Sequence, residues 1–447
     1  MSVRVCRDVL PSGLTVVTIE TSHLHSAMAA VYVRVGSRHE TPQDNGVSHV
    51  LEHLFFRGSE RFPDSVKMNA RIEQVGGNLN GVTMRDSSYF YTPVHPEGVG
   101  EALGILGDML TRPRLVQLAV EKRVILEEML DEVDERGRDI DPDNLSKRLL
   151  YGNHPLALKI AGTPETVKAL TTARVRAHFE RAYVSGNLVV SVAGPVRHAE
   201  VVRSVERAFR HLRRGPRLVE APPPPPRIRG PRLKYVPFDE TQVEFRLAFP
   251  ATSDAHPDHH ALATLRRVLD DGLSSRLPYN IVERRGLAYS IGGAMEVFHD
   301  AGSFEIDGAC APQHLGPVVD EVLRTLKTLL LGRITREELV RAQQRHRMHL
   351  DFLRDSPGDL CGWFGGGELF RPPESFAQRV KAVDALTVDD LVRVSRTYLT
   401  GQTATLVAVG PKSGQKSVER VIGEAEQRLA VRMRRTRRSP VTARARE

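Results

Sequence analysis

Gly46-Val47-Ser48-His49-Val50-Leu51-Glu52-His53-Leu54-Phe55-Phe56-Arg57-Gly58 is the stretch on which the reading of this 447-residue chain turns. In a helix, His49 and His53 are four positions apart and stack on one face, where two imidazoles can point at one metal ion. Glu52 immediately precedes the second histidine and projects beside that face. This is an HxxEH arrangement, the reverse of HExxH, and both orders place two metal-binding nitrogens next to a carboxylate that can handle a proton.

Two histidines leave such a site incomplete, because catalytic zinc usually takes three protein ligands and keeps one position open. The helical pattern around Val120 to Met129 offers carboxylates. Glu121 and Glu128, seven residues apart, share a face, whereas Glu127 points about 100 degrees away. Spacing alone does not choose a ligand among them. A three-letter pattern in five residues also arises by chance, and taken alone its ordinary reading is a pair of structural histidines beside solvated helix charges.

Working outward, Leu14 to Ile19, Met28 to Val35, Asp86 to Val94 and Asn187 to Ala193 read as strands. Helical patterns lie between or after them at about 46–57, 64–75, 97–111, 115–136 and 196–211. This mixture predicts a layered α+β domain over residues 1–215. Residues 216–233 contain five consecutive prolines, Pro222 to Pro226, which suit an extended surface linker and no helix interior or central strand. Residues 234–431 then repeat the order. Strands are expected at Val243 to Phe249, Ala288 to Val297, Gly302 to Gly308 and Thr403 to Val409, with helices at about 259–273, 314–331, 336–355, 374–384 and 387–397. The expected fold class is therefore α+β, with two related domains.

The composition is that of a globular protein, with 40% hydrophobic and 26% charged residues. The formal net charge is +8, of which residues 432–447, with seven arginines and one glutamate, carry +6. The body of the chain thus has little electrostatic reason to bind nucleic acid, and the tail is expected to be disordered. It has no aromatic residue on which a base could stack. Cys6, Cys310 and Cys361 are odd in number and far apart, which suits a reducing compartment. The opening MSVRVCRDVLPSG lacks an apolar core for a secretory signal, and no stretch reaches the roughly 18 apolar residues of a membrane span. The expected location is cytoplasmic. His256, His259 and His260 cluster without a suitably spaced acidic partner and read as ordinary.

Further segments accompany the HxxEH stretch: Leu10-Pro11-Ser12-Gly13-Leu14, Gly76-Gly77-Asn78-Leu79-Asn80-Gly81-Val82-Thr83, Glu121 to Glu128, His154-Pro155-Leu156, Ser274-Ser275-Arg276-Leu277 and Gly286-Leu287-Ala288-Tyr289-Ser290. With them the chain resembles the M16 (pitrilysin, insulinase and mitochondrial processing peptidase) family of zinc metallopeptidases, above all its short bacterial members. The resemblance implies two domains, each a mainly antiparallel sheet packed against helices, that form half of a clamshell peptidase chamber. It implies Zn(2+) bound by His49, His53 and Glu128, with Glu52 as general base for a water that attacks the peptide bond, and Glu121 orienting a ligand. It also implies that Asn80, Gly81 and Thr83 lie on an edge strand that recognises the backbone of a peptide substrate, with Gly81 replacing a common alanine.

Active relatives also use an arginine and a tyrosine seven residues apart to stabilise the reacting centre. Tyr289 matches the tyrosine, but Val282 stands where the arginine is expected, and valine offers neither charge nor a donor. Arg284 and Arg285 are out of register, and Arg276 matches a structural turn. The implied assembly is a homodimer, or a heterodimer with a noncatalytic family member that supplies the Arg/Tyr pair. The latter is favoured by Val282. The implied function is a zinc-dependent endopeptidase acting on short or unfolded peptides, the alternative being a noncatalytic structural or processing-complex subunit.

Overall fold

A computed structural model describes residues 3–224 and 231–430. Part of the proline-rich linker and the arginine-rich tail lie outside the described residues. Eleven strands are described: β1 (Arg4–Val9), β2 (Thr15–Glu20), β3 (Ala27–Val33), β4 (Asn80–Thr83), β5 (Ser88–Val94), β6 (Leu188–Gly194), β7 (Arg232–Pro237), β8 (Val243–Ala251), β9 (Ser290–Val297), β10 (Gly302–Cys310) and β11 (Thr405–Gly410). They form two sheets, ordered β1-β2-β6-β3-β5-β4 and β7-β11-β8-β10-β9.

Apart from β1, the second sheet repeats the first strand for strand. β2 and β7 each pair in parallel with the last strand of their half, β6 or β11. Every other pairing is antiparallel. The order-level similarity of the two halves is thus a structural repeat, and the chain folds as two related α+β domains. β4 and β9 are corresponding edge strands.

Each sheet buries one face under helices of its own half. In the first, Val31, Val33, Phe90 and Val190 pack against Val50, Leu54 and Phe55 of the helix Val47–Phe55 and against Leu103 and Leu106 of the helix Val99–Thr111. The opposite faces are covered reciprocally. Residues 357–366 of the second half lay Leu360, Cys361 and Phe364 on Val17, Ile19, Ala30 and Val189 of the first sheet. The helix Pro142–Tyr151 of the first half lays Leu150 and Tyr151 on Ala248, and Leu145 on Val407 and Val409, of the second. Lys147 of this helix is buried against Glu305 and Glu296 of the second sheet.

The helix expected over 115–136 is shorter. Leu115 and Gln117 have φ of 49° and 63°, which delays its start to Leu118, and it gives way after Glu128 to a tight turn at Met129–Glu132. The helix expected to reach Leu273 stops at Leu269, where Asp270 turns extended and accepts the N–H of Gly293. The helices Pro142–Tyr151, Pro164–Ala169 and Thr172–Ala182 were not anticipated from periodicity, although Asp141, Thr163 and Thr171 cap them.

Candidate metal centre and active site

The helix Val47–Phe55 is held at its start. Gly46 adopts φ 95°, and a Cβ there would lie 2.5 Å from the carbonyl oxygen of Ala161. The buried carboxyl of Glu40 accepts the N–H groups of Gly46 at 2.7 Å and Ser48 at 2.8 Å, and a side-chain N–H of Asn45 at 2.8 Å. It therefore satisfies donors that a helix leaves open at its N-terminus. Burial pushes its pKa up to about 7, against the lowering effect of those hydrogen bonds. Val47, Val50, Leu51, Leu54 and Phe55 face the core, so His49, Glu52 and His53 lie on the side left over.

The helix Leu118–Glu128 packs alongside and brings its last residue to the histidines. Nε2 of His49 and Nε2 of His53 lie 3.8 and 3.6 Å from Oε2 of Glu128. The two rings stand almost perpendicular, at 84°, with centroids 4.7 Å apart. Ligand atoms bonded tetrahedrally at about 2.0–2.2 Å are about 3.3–3.6 Å apart, so two imidazoles and a carboxylate at these separations fit a zinc ion with little movement. Burial, and then the neighbouring His53, lower the His49 pKa to about 4, keeping that ring in the neutral form that binds metals. His49, His53 and Glu128 each offer a ligand atom, all within 4.8 Å of one another, a cluster able to hold a metal ion.

Of the carboxylates that spacing left open, Glu127 is exposed and outside the cluster, whereas Glu121 is buried beneath it. Oε2 of Glu121 is 3.0 Å from Nδ1 of His53, which turns Nε2 of that ring toward Glu128. The other oxygen of Glu121 accepts from Nε of Arg57, so the order is Arg57, Glu121, His53. Arg57 was missed from the sequence. The signal was there, since it is the next member of the every-fourth-residue row begun by His49 and His53.

Glu52 stands beside this cluster against β4. The hydroxyl of Thr83 donates to its Oε2 at 2.5 Å. Burial raises the Glu52 pKa, and the Thr83 hydrogen bond and His53 oppose the rise. A cavity of about 490 Å³ opens here, lined by Glu52, His53, Arg57, Asn80, Gly81 and Glu121 among others. The structure thus brings His49, Glu52, His53, Asn80, Gly81, Thr83, Glu121 and Glu128 to one place.

Tyr289 is not brought there. It is 86% exposed, just before β9 in the second domain, and does not line the cavity. Val282 lies in the short helical segment Pro278–Glu283. Arg276 is engaged by Glu338, Thr328 and the carbonyl of Arg333, and Arg285 by Glu321. Among the described residues two other groups have metal-ligand spacing, Glu220/His299/Asp300 and Asp143/Glu296/Glu305. Both are already compensated: Arg38 bridges Asp300 and Glu220, while Lys147, Arg85 and Arg246 serve the second group. His260 pairs with Glu374 at 3.3 Å. Among the described residues no helix is long and apolar enough to cross a membrane.

The description "Insulinase (Peptidase family M16)" matches residues 15–164, and "Peptidase M16 inactive domain" matches residues 169–345. An uncharacterized zinc protease of Streptomyces coelicolor is 30% identical over 421 residues, covering 91% of this chain and 89% of that protein. One from Mycobacterium tuberculosis is also 30% identical, covering 92% of this chain and 94% of its own. A probable mitochondrial-processing peptidase subunit beta of Schizosaccharomyces pombe is 28% identical, covering 92% of both. The crystal structure of a protease from Helicobacter pylori has the same fold, with a TM-score of 0.82 at 22% identity, covering 92% of this chain and all of that one. The repeated α+β domain, the convergence of His49, His53 and Glu128, and the full-length likeness to zinc proteases together place this chain in the M16 peptidase family.

Proposed function

We propose that this protein is a zinc-dependent endopeptidase that hydrolyses short or unfolded peptides. The observation that carries the reading is the meeting of His49, His53 and Glu128 at ligand separation with the free side of Glu52 next to them. Zinc held by those three residues would supply Lewis acidity to a water and to the scissile carbonyl. Glu52 takes the proton of the attacking water and returns one to the leaving amine nitrogen. Glu121 fixes the orientation of His53, and Arg57 compensates the charge of Glu121. β4 is an edge strand, and Asn80 and Gly81 line the cavity, which supports pairing of an extended peptide along this edge.

The assembly belongs to the same reading. Tyr289 is exposed in the second domain, and Val282 cannot stabilise a developing oxyanion. The chain acts in a two-chain chamber, as a homodimer or with a noncatalytic family member that contributes an Arg/Tyr pair; Val282 favours the second. The location that suits three unpaired cysteines is the cytoplasm.

The test is cleavage of a fluorogenic unstructured peptide library by the zinc-loaded chain, with Glu52→Gln as control and solution mass recorded on the same sample. Glu52-dependent cleavage by a homodimer supports the activity and removes the need for a different partner. Zinc bound without cleavage directs attention to a second chain carrying the arginine. Cleavage that persists in Glu52→Gln contradicts the reading.

A further inference from the structure

The edge strand beside the metal centre does more than present a backbone. Thr83 was expected to help recognise substrate, yet its hydroxyl is spent on Oε2 of Glu52, 31 residues away in sequence, at 2.5 Å. Two positions earlier, on the same face of β4, a Cβ on Gly81 would come within 3.0 Å of Cγ of Glu52 and 2.9 Å of the Phe56 ring. The bare strand at Gly81 therefore receives the stem of the glutamate, and Thr83 receives its carboxyl.

The seat is stiff. Thr83 is β-branched, so few χ1 positions are open to it, and its place is fixed by pairing with Ser88 of β5. Ser88 is tied in turn by its hydroxyl to the carbonyl of Val35 at 2.8 Å. A glutamate side chain has several rotatable bonds, and a proton acceptor must be held within hydrogen-bond reach of the proton it takes. The backbone N–H of Thr83 also acts on the Glu52 carboxyl, so the hydroxyl shares this seat with the strand itself.

We propose that the Thr83 side chain positions Glu52, setting the orientation of the general base from the edge strand, and that its hydroxyl is not a substrate contact. This inference rests on the peptidase reading above, but one arm of its test does not. Thr83→Val keeps the shape and strand preference and removes the donor, whereas Thr83→Ser keeps the donor.

In the zinc-loaded full chain, with whatever partner activity requires, Thr83→Val is expected to lower kcat by about 10- to 100-fold with KM within about twofold, and Thr83→Ser to restore most of it. In a Glu52→Gln background, Thr83→Val is expected to leave affinity for the uncleaved fluorescent peptide unchanged. Zinc stoichiometry is expected to be the same in all variants. A rise in KM or a loss of peptide affinity with kcat unchanged, or failure of Thr83→Ser to rescue, overturns the proposal. Crystal structures of the wild type and Thr83→Val supply the independent arm. Glu52 leaving its place against the Thr83 side chain in Thr83→Val supports the proposal even if the wild type cleaves nothing alone or with any partner, a result that would sink the peptidase reading alone; Glu52 staying in place overturns the proposal.

Discussion

Glu52 and Glu121 show how one short region assigns different work to the same side chain. Glu52 faces the cavity, its pKa raised by burial, whereas Glu121 is sealed between His53 and Arg57. Glu52→Gln is expected to cost about 10²- to 10⁴-fold in turnover while zinc content, measured by atomic emission, stays at one ion per chain. Glu121→Gln is expected to do the reverse first, weakening zinc binding by about 10- to 100-fold in a competition titration with a chelator. Arg57→Gln should shift zinc affinity in the same direction by less, because Glu121 and its bond to His53 remain. These opposite signatures would not appear if both carboxylates were merely solvated charges.

At the scale of elements, the helix Val47–Phe55 is fastened by Glu40. Its raised pKa has a definite consequence for stability. Between the ordinary glutamate range and about 7 the folded chain holds a proton that the unfolded chain has lost, so this group's contribution is full at low pH and is lost as pH rises through about 7. Glu40→Gln removes that slope: urea unfolding at pH 5 and pH 8 should show a smaller loss of stability on raising the pH in the variant than in the wild type. Gln also cannot accept all the N–H groups that Glu40 accepts, so the variant should be less stable at pH 5 by about 1–3 kcal/mol. His49 with His53 and Glu121 with Glu128 were legible in the sequence because helical periodicity puts each pair on a shared face, with Glu52 beside the first; family resemblance then selected Glu128 over Glu121 and Glu127 as the ligand and gave Glu52 and Glu121 their roles. The bond from Thr83 to Glu52 was not legible, because β4 has only four residues and the contact depends on how an edge strand meets a helix. Glu40 was missed for a similar reason: a capping carboxylate six residues before Gly46 has no periodic signal.

The whole molecule is held together by exchange. Each sheet has one face covered by a segment of the other half, and nothing in the periodicity of either segment says which sheet it will cover. The strand repeat was legible as a matching order of elements; the crossing of the helix Pro142–Tyr151 and residues 357–366 was not. A fragment of residues 1–215 would expose Val17, Ile19, Ala30 and Val189, which the second half buries. It is expected to aggregate or to bind a hydrophobic dye, whereas the full chain does neither. Lys147→Met, which removes the buried cation shared by Glu305 and Glu296 and leaves them only Arg246 and Arg85, is expected to lower stability by about 3–5 kcal/mol in urea unfolding. Both halves should unfold in one transition, since neither sheet keeps its cover without the other.

Anomalous diffraction at the zinc edge from a zinc-loaded crystal locates the metal centre. The predicted result is one strong peak bounded by Nε2 of His49, Nε2 of His53 and the carboxylate of Glu128. A peak at Glu220, His299 and Asp300 instead, or no peak at all, would contradict the account.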